Sequence, residues 1–157
     1  MKNANHKKIL YVDMDNVLVD FQSGIDRVPN AILDKYHTDK DEIPGIFSLM
    51  LPFKDAIESY ITLSKHFDTY ILSTSPWNNP DAASNKVDWV KKYLGDHAYK
   101  RLILSHHKNL NKGDYLIDDS DKNGADKFEG ELILFGSEKF PDWNTVVTYL
   151  IKNNPHS

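Results

Sequence analysis

Four places along the chain carry side chains that could bind phosphate or move a proton: Asp13-Met14-Asp15, Ser73-Thr74-Ser75, Lys108 and Asp118-Asp119. Two carboxylates two residues apart can serve as a nucleophile and a general acid–base. In a strictly alternating strand such a pair points to one side, so both could address one phosphate. A hydroxyl and a lysine would add anion binding and charge balance. Taken singly, each place has a plainer explanation, because Asp and Ser often end strands, cap helices and close turns. Taken together, clustered carboxylates raise one another's pKa and destabilise a fold unless a cation neutralises them. Mg²⁺, held by one or two carboxylates with phosphate and water, is the cation expected here.

Each of these places follows a short apolar run. The runs are Lys8 to Asp13, Thr69 to Ser73, Arg101 to Leu104 and Tyr115 to Asp118, with a fifth from Glu131 to Phe135. Continuous rather than alternating apolar residues predict strands buried on both faces. Between them, 3.6-residue periodicity predicts helices over Pro52 to His66, Pro80 to Leu94 and Pro141 to Lys152, the last capped by Asp142. Strands alternating with helices imply right-handed crossovers and a parallel α/β sheet. In such sheets ligands bind beyond the C-terminal strand ends, which is where all four places fall. The rhythm breaks once, at residues 22–52, where a helix around Ile25 to Tyr36, a Pro44-Gly45 loop and an apolar cluster (Ile46, Phe47, Leu49, Met50, Leu51) form an insertion. The expected organisation is one domain over residues 1–157 with this small helical cap inside it.

A length of 157 residues suits one domain with a real core. There is no cysteine, so disulfides and thiolate sites are excluded, and the composition fits a reducing compartment. The net charge of −4 opposes a role as a nucleic-acid polymer binder. No apolar run is long enough to span a membrane and no signal peptide is visible, so a cytoplasmic location is expected. Eighteen of the 23 acidic residues are Asp, most of them suited to turns and caps. Asp119 to Gly124 imitates a calcium loop, but Gly130 stands where its bidentate acid belongs and a strand precedes it. Paired histidines at zinc spacing are missing, and His106-His107 point apart on most backbones.

Val12-Asp-Met-Asp-Asn-Val-Leu-Val-Asp20 resembles the first motif of the haloacid dehalogenase superfamily, an apolar strand ending in Asp-x-Asp. Thr74, Lys108 and Asp118-Asp119 are similar to its second, third and fourth motifs, in that order. More narrowly, Asp13 to Phe21, Ser73-Thr-Ser-Pro76, Val87 to Gly95 and Leu104 to Asp119 resemble the 5′(3′)-deoxyribonucleotidases. The resemblance covers most of the chain outside the insertion and the tail, and it implies a Rossmann-like core. It also implies a Mg²⁺-dependent phosphomonoesterase acting through an aspartyl phosphate. Asp13 would be the nucleophile and Asp15 the general acid–base; the superfamily's dehalogenases lack the second Asp. Thr74, Ser75 and Lys108 would bind the phosphoryl group. Asp13, Asp119 and the Asp15 carbonyl would hold Mg²⁺, with Asp118 supporting them. Phe21 falls where the family places a substrate-contacting Phe, and Phe47 and Met50 would join it in facing sugar and base.

The implied partner is a small phosphate monoester, a deoxynucleoside monophosphate before a sugar phosphate, with a homodimer left open. Phosphotransferases and sugar phosphatases of the superfamily share the core and differ in the cap. Receiver-like signalling domains also join acidic strand ends to Thr/Ser and Lys. Those domains place the phosphorylated Asp after the third strand, where this chain has Ser105-His-His-Lys108.

Overall fold

The computed structural model describes residues 6–154. Five of its strands form one parallel sheet: β1 (Ile9–Val12), β4 (Asp68–Ser73), β5 (Leu102–Leu104), β6 (Tyr115–Asp118) and β7 (Glu131–Leu134). Their order across the sheet is β5-β4-β1-β6-β7. β1 is central, with Leu10 level with Thr69 on one side and with Tyr115 on the other. The chain first adds strands on one side of β1 and then restarts on the other. The crevice where that direction reverses lies at the ends of β1 and β6.

Side chains along each strand alternate between two cores. Leu10, Val12, Ile71, Tyr115, Ile117 and Ile133 join the larger one. Helices α3 (Ala56–His66), α4 (Asp81–Tyr93) and α5 (Trp143–Lys152) complete it with Tyr60, Leu63, Trp89, Val90, Trp143, Val146 and Leu150. Tyr11, Leu72 and Leu116 face the other way into a smaller core closed by Ala125 and Phe128. The expected α/β class and central strands are therefore present. Trp89 and Trp143 are buried, each donating its indole N–H to a backbone carbonyl, of Met50 at 3.1 Å and Val17 at 2.9 Å. Asp142 caps α5 as expected, accepting from the Thr145 amide at 2.8 Å. No described helix is long and apolar enough to cross a membrane.

The insertion departs from its expected form. The helix expected around Ile25 to Tyr36 is confined to α2 (Asn30–Tyr36), and a separate short helix, α1 (Phe21–Ile25), ends where it was expected to begin. Pro29 lies between them; proline disfavours helical backbone at the preceding Val28 and offers no N–H to the previous turn. A two-stranded antiparallel ribbon, β2 (Val19–Asp20) with β3 (Leu51–Pro52), pinches the ends of the insertion together. The helix expected from Pro52 consequently starts at Ala56, since Pro52 belongs to the ribbon and the Phe53 amide donates to the Leu18 carbonyl at 2.8 Å.

The insertion packs as core rather than standing off. Ile46, Phe47 and Met50 are buried with the larger cluster, while Leu49 and Leu51 are exposed. The backbones approach so closely that a Cβ on Gly24 would lie 2.6 Å from Met50 Cγ. Buried Asn79 donates from Nδ2 to the Asp41 and Ile43 carbonyls at 2.9 and 3.1 Å, tying the insertion to the loop after β4. Met50 is thus spent on packing and does not face a substrate. Truncating Phe47 to Ala should cost about 3–5 kcal/mol, the usual range for a buried aromatic. Urea unfolding should remain a single transition; a separate early transition for the insertion would contradict this packing.

Candidate active site

The β1 strand ends where the Asp13 amide donates to the Ile117 carbonyl of β6 at 2.9 Å. Beyond it the chain turns tightly: the amides of Val17, Leu18 and Val19 all donate to the Met14 carbonyl. Met14 is buried in the core, so its neighbours Asp13 and Asp15 are turned toward the sheet edge. The turn needs left-handed backbone at Asn16 (φ 59°), which Asn tolerates better than most residues.

Lys108 begins a short 3₁₀ turn after β5, where its amide donates to the Asn123 carbonyl at 2.8 Å. Its ammonium lies 3.0 Å from Asp13 Oδ1 and 2.5 Å from Asp118 Oδ2, and all three residues are buried. The other Asp118 oxygen accepts the Ser120 amide at 3.1 Å, so Asp118 has a partner for each oxygen. Asp119 is exposed beside them. One carboxylate oxygen each from Asp13, Asp118 and Asp119 lie within 4.8 Å of one another. Such a set of hard oxygen donors suits a Mg²⁺-like cation, and with its oxygens engaged Asp118 is the least available of the three.

The electrostatics agree with a site built for added positive charge. Burial, then the neighbouring Asp118 and Asp15 charges, push Asp13 up to about 7 against the opposing pull of Lys108. Although Asp119 is exposed as a residue, partial desolvation of its carboxyl and then its contact with Asp13 push it up to about 6. Burial alone would lower the Lys108 ammonium, but Asp13 and Asp118 outweigh it and raise it.

Asp15 stands in the same group but has a different partner. Its Oδ2 is 3.1 Å from the ammonium of Lys86, and its Oδ1 is buried with no hydrogen-bond partner. Thr74 and Ser75 are half-buried just past β4. The Thr74 hydroxyl donates to the Ser105 carbonyl at 2.8 Å, so its proton is engaged within the protein. Phe21 is half-buried at the start of α1 and meets Phe47 edge-on, with ring centroids 6.1 Å apart. Phe47 lies beneath Lys86, its ring 4.6 Å from the ammonium, and is fully buried rather than turned to a substrate.

Lys86 is the residue that sequence inspection missed. It is 0% exposed, on a helical face with Ala82, Trp89 and Val90. The signal was present: a lysine at the centre of an apolar stripe is rarely fully buried unless it is paired. Trp77, next to the Ser73–Pro76 segment, is 87% exposed with its ring edge-on to His106 at 5.8 Å. Two cavities of about 370 and 470 Å³ lie away from the carboxylates, one near His6, Asp68 and His97, the other between α4 and Leu102.

Comparison with known proteins follows the same lines. The family described as 5′ nucleotidase, deoxy (pyrimidine), cytosolic type C protein matches residues 32–144. A putative 5′(3′)-deoxyribonucleotidase of Vibrio phage KVP40 is 60% identical over 148 residues, covering 94% of this chain and 87% of the relative. The 5′(3′)-deoxyribonucleotidase of Bacillus subtilis is 26% identical over 148 residues, with 82% and 85% covered. Among solved structures, a haloacid dehalogenase-like hydrolase from Streptococcus pneumoniae superposes with a TM-score of 0.60 at 15% identity, covering 91% of this chain and 90% of that one. The narrower family resemblance carried by the sequence motifs is found, and the solved structure shows a shared fold.

The raised carboxyl groups link stability to pH. A carboxyl whose folded pKa exceeds its unfolded value binds its proton more tightly when folded, so it favours folding at low pH. For Asp13 that share is lost as pH rises from about 4 through 7. In metal-chelated protein the melting temperature should therefore fall by several degrees between pH 5 and 8. Each tenfold difference in proton affinity is about 1.4 kcal/mol, and a chain of this size loses roughly 2–4 °C per kcal/mol. Asp13→Asn should flatten the slope; a melting temperature that rises over this range would contradict the assignment.

Proposed function

The chain belongs to the 5′ nucleotidase, deoxy (pyrimidine), cytosolic type C family of hydrolases, and from that membership we propose a Mg²⁺-dependent phosphomonoesterase that removes phosphate from deoxynucleoside monophosphates through an aspartyl phosphate on Asp13. Residues 22–52 would act as its cap. The observation that carries the proposal is the buried Lys108 ammonium held between Asp13 and Asp118, beside a second, separately held carboxylate at Asp15. The names of the phage and Bacillus relatives support the nucleotide class.

The chemistry assigns one task to each carboxylate. An Asp13 oxygen attacks phosphorus, the P–O ester bond breaks, and the leaving oxygen takes a proton from Asp15. Asp15 then accepts a proton from water as that water attacks the aspartyl phosphate, releasing inorganic phosphate and the Asp13 carboxylate. Lys108 holds Asp13 in place and offsets the charge gathered between nucleophile and phosphoryl group. Thr74 and Ser75 bind phosphoryl oxygens; the Thr74 hydroxyl would do so as a donor only by leaving the Ser105 carbonyl. Asp13, Asp119 and the Asp15 carbonyl would hold Mg²⁺, while Asp118 orients Lys108. Bound there, the ion would offset the charge of the carboxylates and the phosphoryl group.

Phosphate release from dUMP should be abolished by EDTA and restored by Mg²⁺, and Asp119→Ala should raise the Mg²⁺ requirement sharply. Asp13→Asn should lose turnover while keeping the fold. Retention of a tenth of wild-type activity by a pure sample would exclude Asp13 as nucleophile. Specificity is read by running UMP and glucose 6-phosphate beside dUMP. A 2′-hydroxyl desolvated without a partner costs on the order of 1–3 kcal/mol, or roughly five- to hundredfold in favour of dUMP. With Met50 and Phe47 buried, Phe21 is the residue left to create that preference. Equal rates on dUMP and UMP would sink the deoxynucleotide assignment, and faster release from the sugar phosphate would move the enzyme to another substrate class.

A further inference from the structure

We propose that Lys86 is a positioning residue for Asp15: its ammonium holds the Asp15 carboxyl to the end of β4, beside the proposed phosphate-binding residues, and Phe47 of the insertion walls the clamp in. This deepens the proposed function and rests on Asp15 being its acid–base. An ammonium has three protons, and Lys86 has three acceptors for them: Asp15 Oδ2 at 3.1 Å, Ser73 Oγ at 2.7 Å and the Thr74 carbonyl at 2.8 Å. Its remaining side is closed by the Phe47 ring at 4.6 Å, a cation–π contact made where water is excluded. The lysine is therefore saturated and has no freedom to follow a substrate.

Those acceptors lie on two separate elements. Asp15 is in the turn after β1, whereas Ser73 ends β4 and leads into the Thr74-Ser75 pair. One buried ammonium thus sets the distance between the proposed proton donor and the proposed phosphate-binding loop. Asp15 gives Lys86 only Oδ2. Its Oδ1 is buried and makes no hydrogen bond among the described residues, so Lys86 is the donor that fixes the carboxylate. The Asp15 side chain is 30% exposed while the ammonium that holds it is fully buried, so the carboxyl, once protonated, is fixed in place yet reachable by a leaving alkoxide. Lys108 cannot supply this order, because both of its carboxylate contacts are to Asp13 and Asp118.

The alternative is that Lys86 only staples α4 to the sheet. Leaving-group dependence separates the two. Expulsion of an alkoxide from dUMP requires a proton, whereas 4-nitrophenolate leaves without one. A lost general acid costs ~100- to 10,000-fold where protonation is needed. Because Asp15 also serves the common hydrolysis of the aspartyl phosphate, the reading is taken on the first step. Lys86→Met should lower the pre-steady-state rate of leaving-group release from dUMP by at least ~100-fold and from 4-nitrophenyl phosphate by less than ~10-fold, at the lower end of that range because Asp15 is displaced rather than removed. The KM values should stay close to wild type. Lys86→Arg should recover part of the loss, since it keeps the charge with a different donor geometry. Equal losses on both esters would overturn the proposal.

Asp15→Asn is measured in parallel. If it slows leaving-group release in the first step from both esters alike, the acid–base reading of Asp15 falls and takes this proposal with it. If Asp15→Asn discriminates between the esters and Lys86→Met does not, only the positioning role fails. Should Lys86→Met not fold, Ser73→Ala carries the test by removing one of the three acceptors. It should slow dUMP severalfold more than the nitrophenyl ester, and an even loss would overturn the proposal.

Discussion

A lysine ammonium shared by two carboxylates, all shut away from water, is the interaction on which the site depends. Lys108 reaches Asp13 at the end of β1 and Asp118 at the end of β6, strands that lie side by side because the sheet restarts there. Breaking such a pair by removing one partner typically costs about 3–5 kcal/mol, because the remaining charge is stranded. The arrangement orients Asp13 while leaving the site short of positive charge. Burial first, and then the neighbouring Asp118 and Asp15 charges, outweigh Lys108, which is why Asp13 holds its proton up to about 7. A cleft so composed favours a cation together with a polyanionic ester over water alone.

The second lysine divides the labour. Lys108 serves the carboxylates at β1 and β6, and Lys86 serves Asp15 and the end of β4. Each of the two Asp-x-Asp carboxylates thereby has its own counter-charge, so they can take different tasks despite standing two residues apart. The insertion takes part through Phe47, which packs under Lys86 and against Phe21. Its small size leaves few residues for recognition beyond the core. Half-buried Phe21 follows the turn after β1, and the exposed Trp77 follows the Ser73–Pro76 segment at the end of β4.

Much of this was legible in the sequence, and the reason is local. Strands buried on both faces must be continuous apolar runs, so all five central strands could be marked from residues alone. The residue at a strand's end is then placed by topology, which is why Asp13, Thr74, Lys108 and Asp118-Asp119 could be brought to one edge before any coordinate. The insertion resisted the same treatment. Pro29 delays to Asn30 a helix expected from about Ile25, and the Val19–Asp20 ribbon with Leu51–Pro52 is a long-range pairing of two-residue strands, too short to leave a pattern. Met50 and Phe47 looked available for substrate, yet packing against Gly24 and Lys86 consumed them. Lys86 was passed over because charge on a helix is ordinarily solvated; its position in the stripe with Ala82, Trp89 and Val90 was the available clue. The Thr74 hydroxyl's bond to Ser105 joins residues 31 apart and has no sequence signature.

The central claim is that the carboxylate held by Lys108 becomes covalently phosphorylated during turnover. Its most direct test is acid quenching of the enzyme in the presence of Mg²⁺ and dUMP carrying a labelled phosphate, followed by mass spectrometry of the peptides. The account predicts label on the peptide containing Asp13, at Asp13 itself, appearing and decaying as phosphate is released. Steady turnover with no labelled protein at any quench time, or label on Asp15 or Asp119 instead, would contradict it.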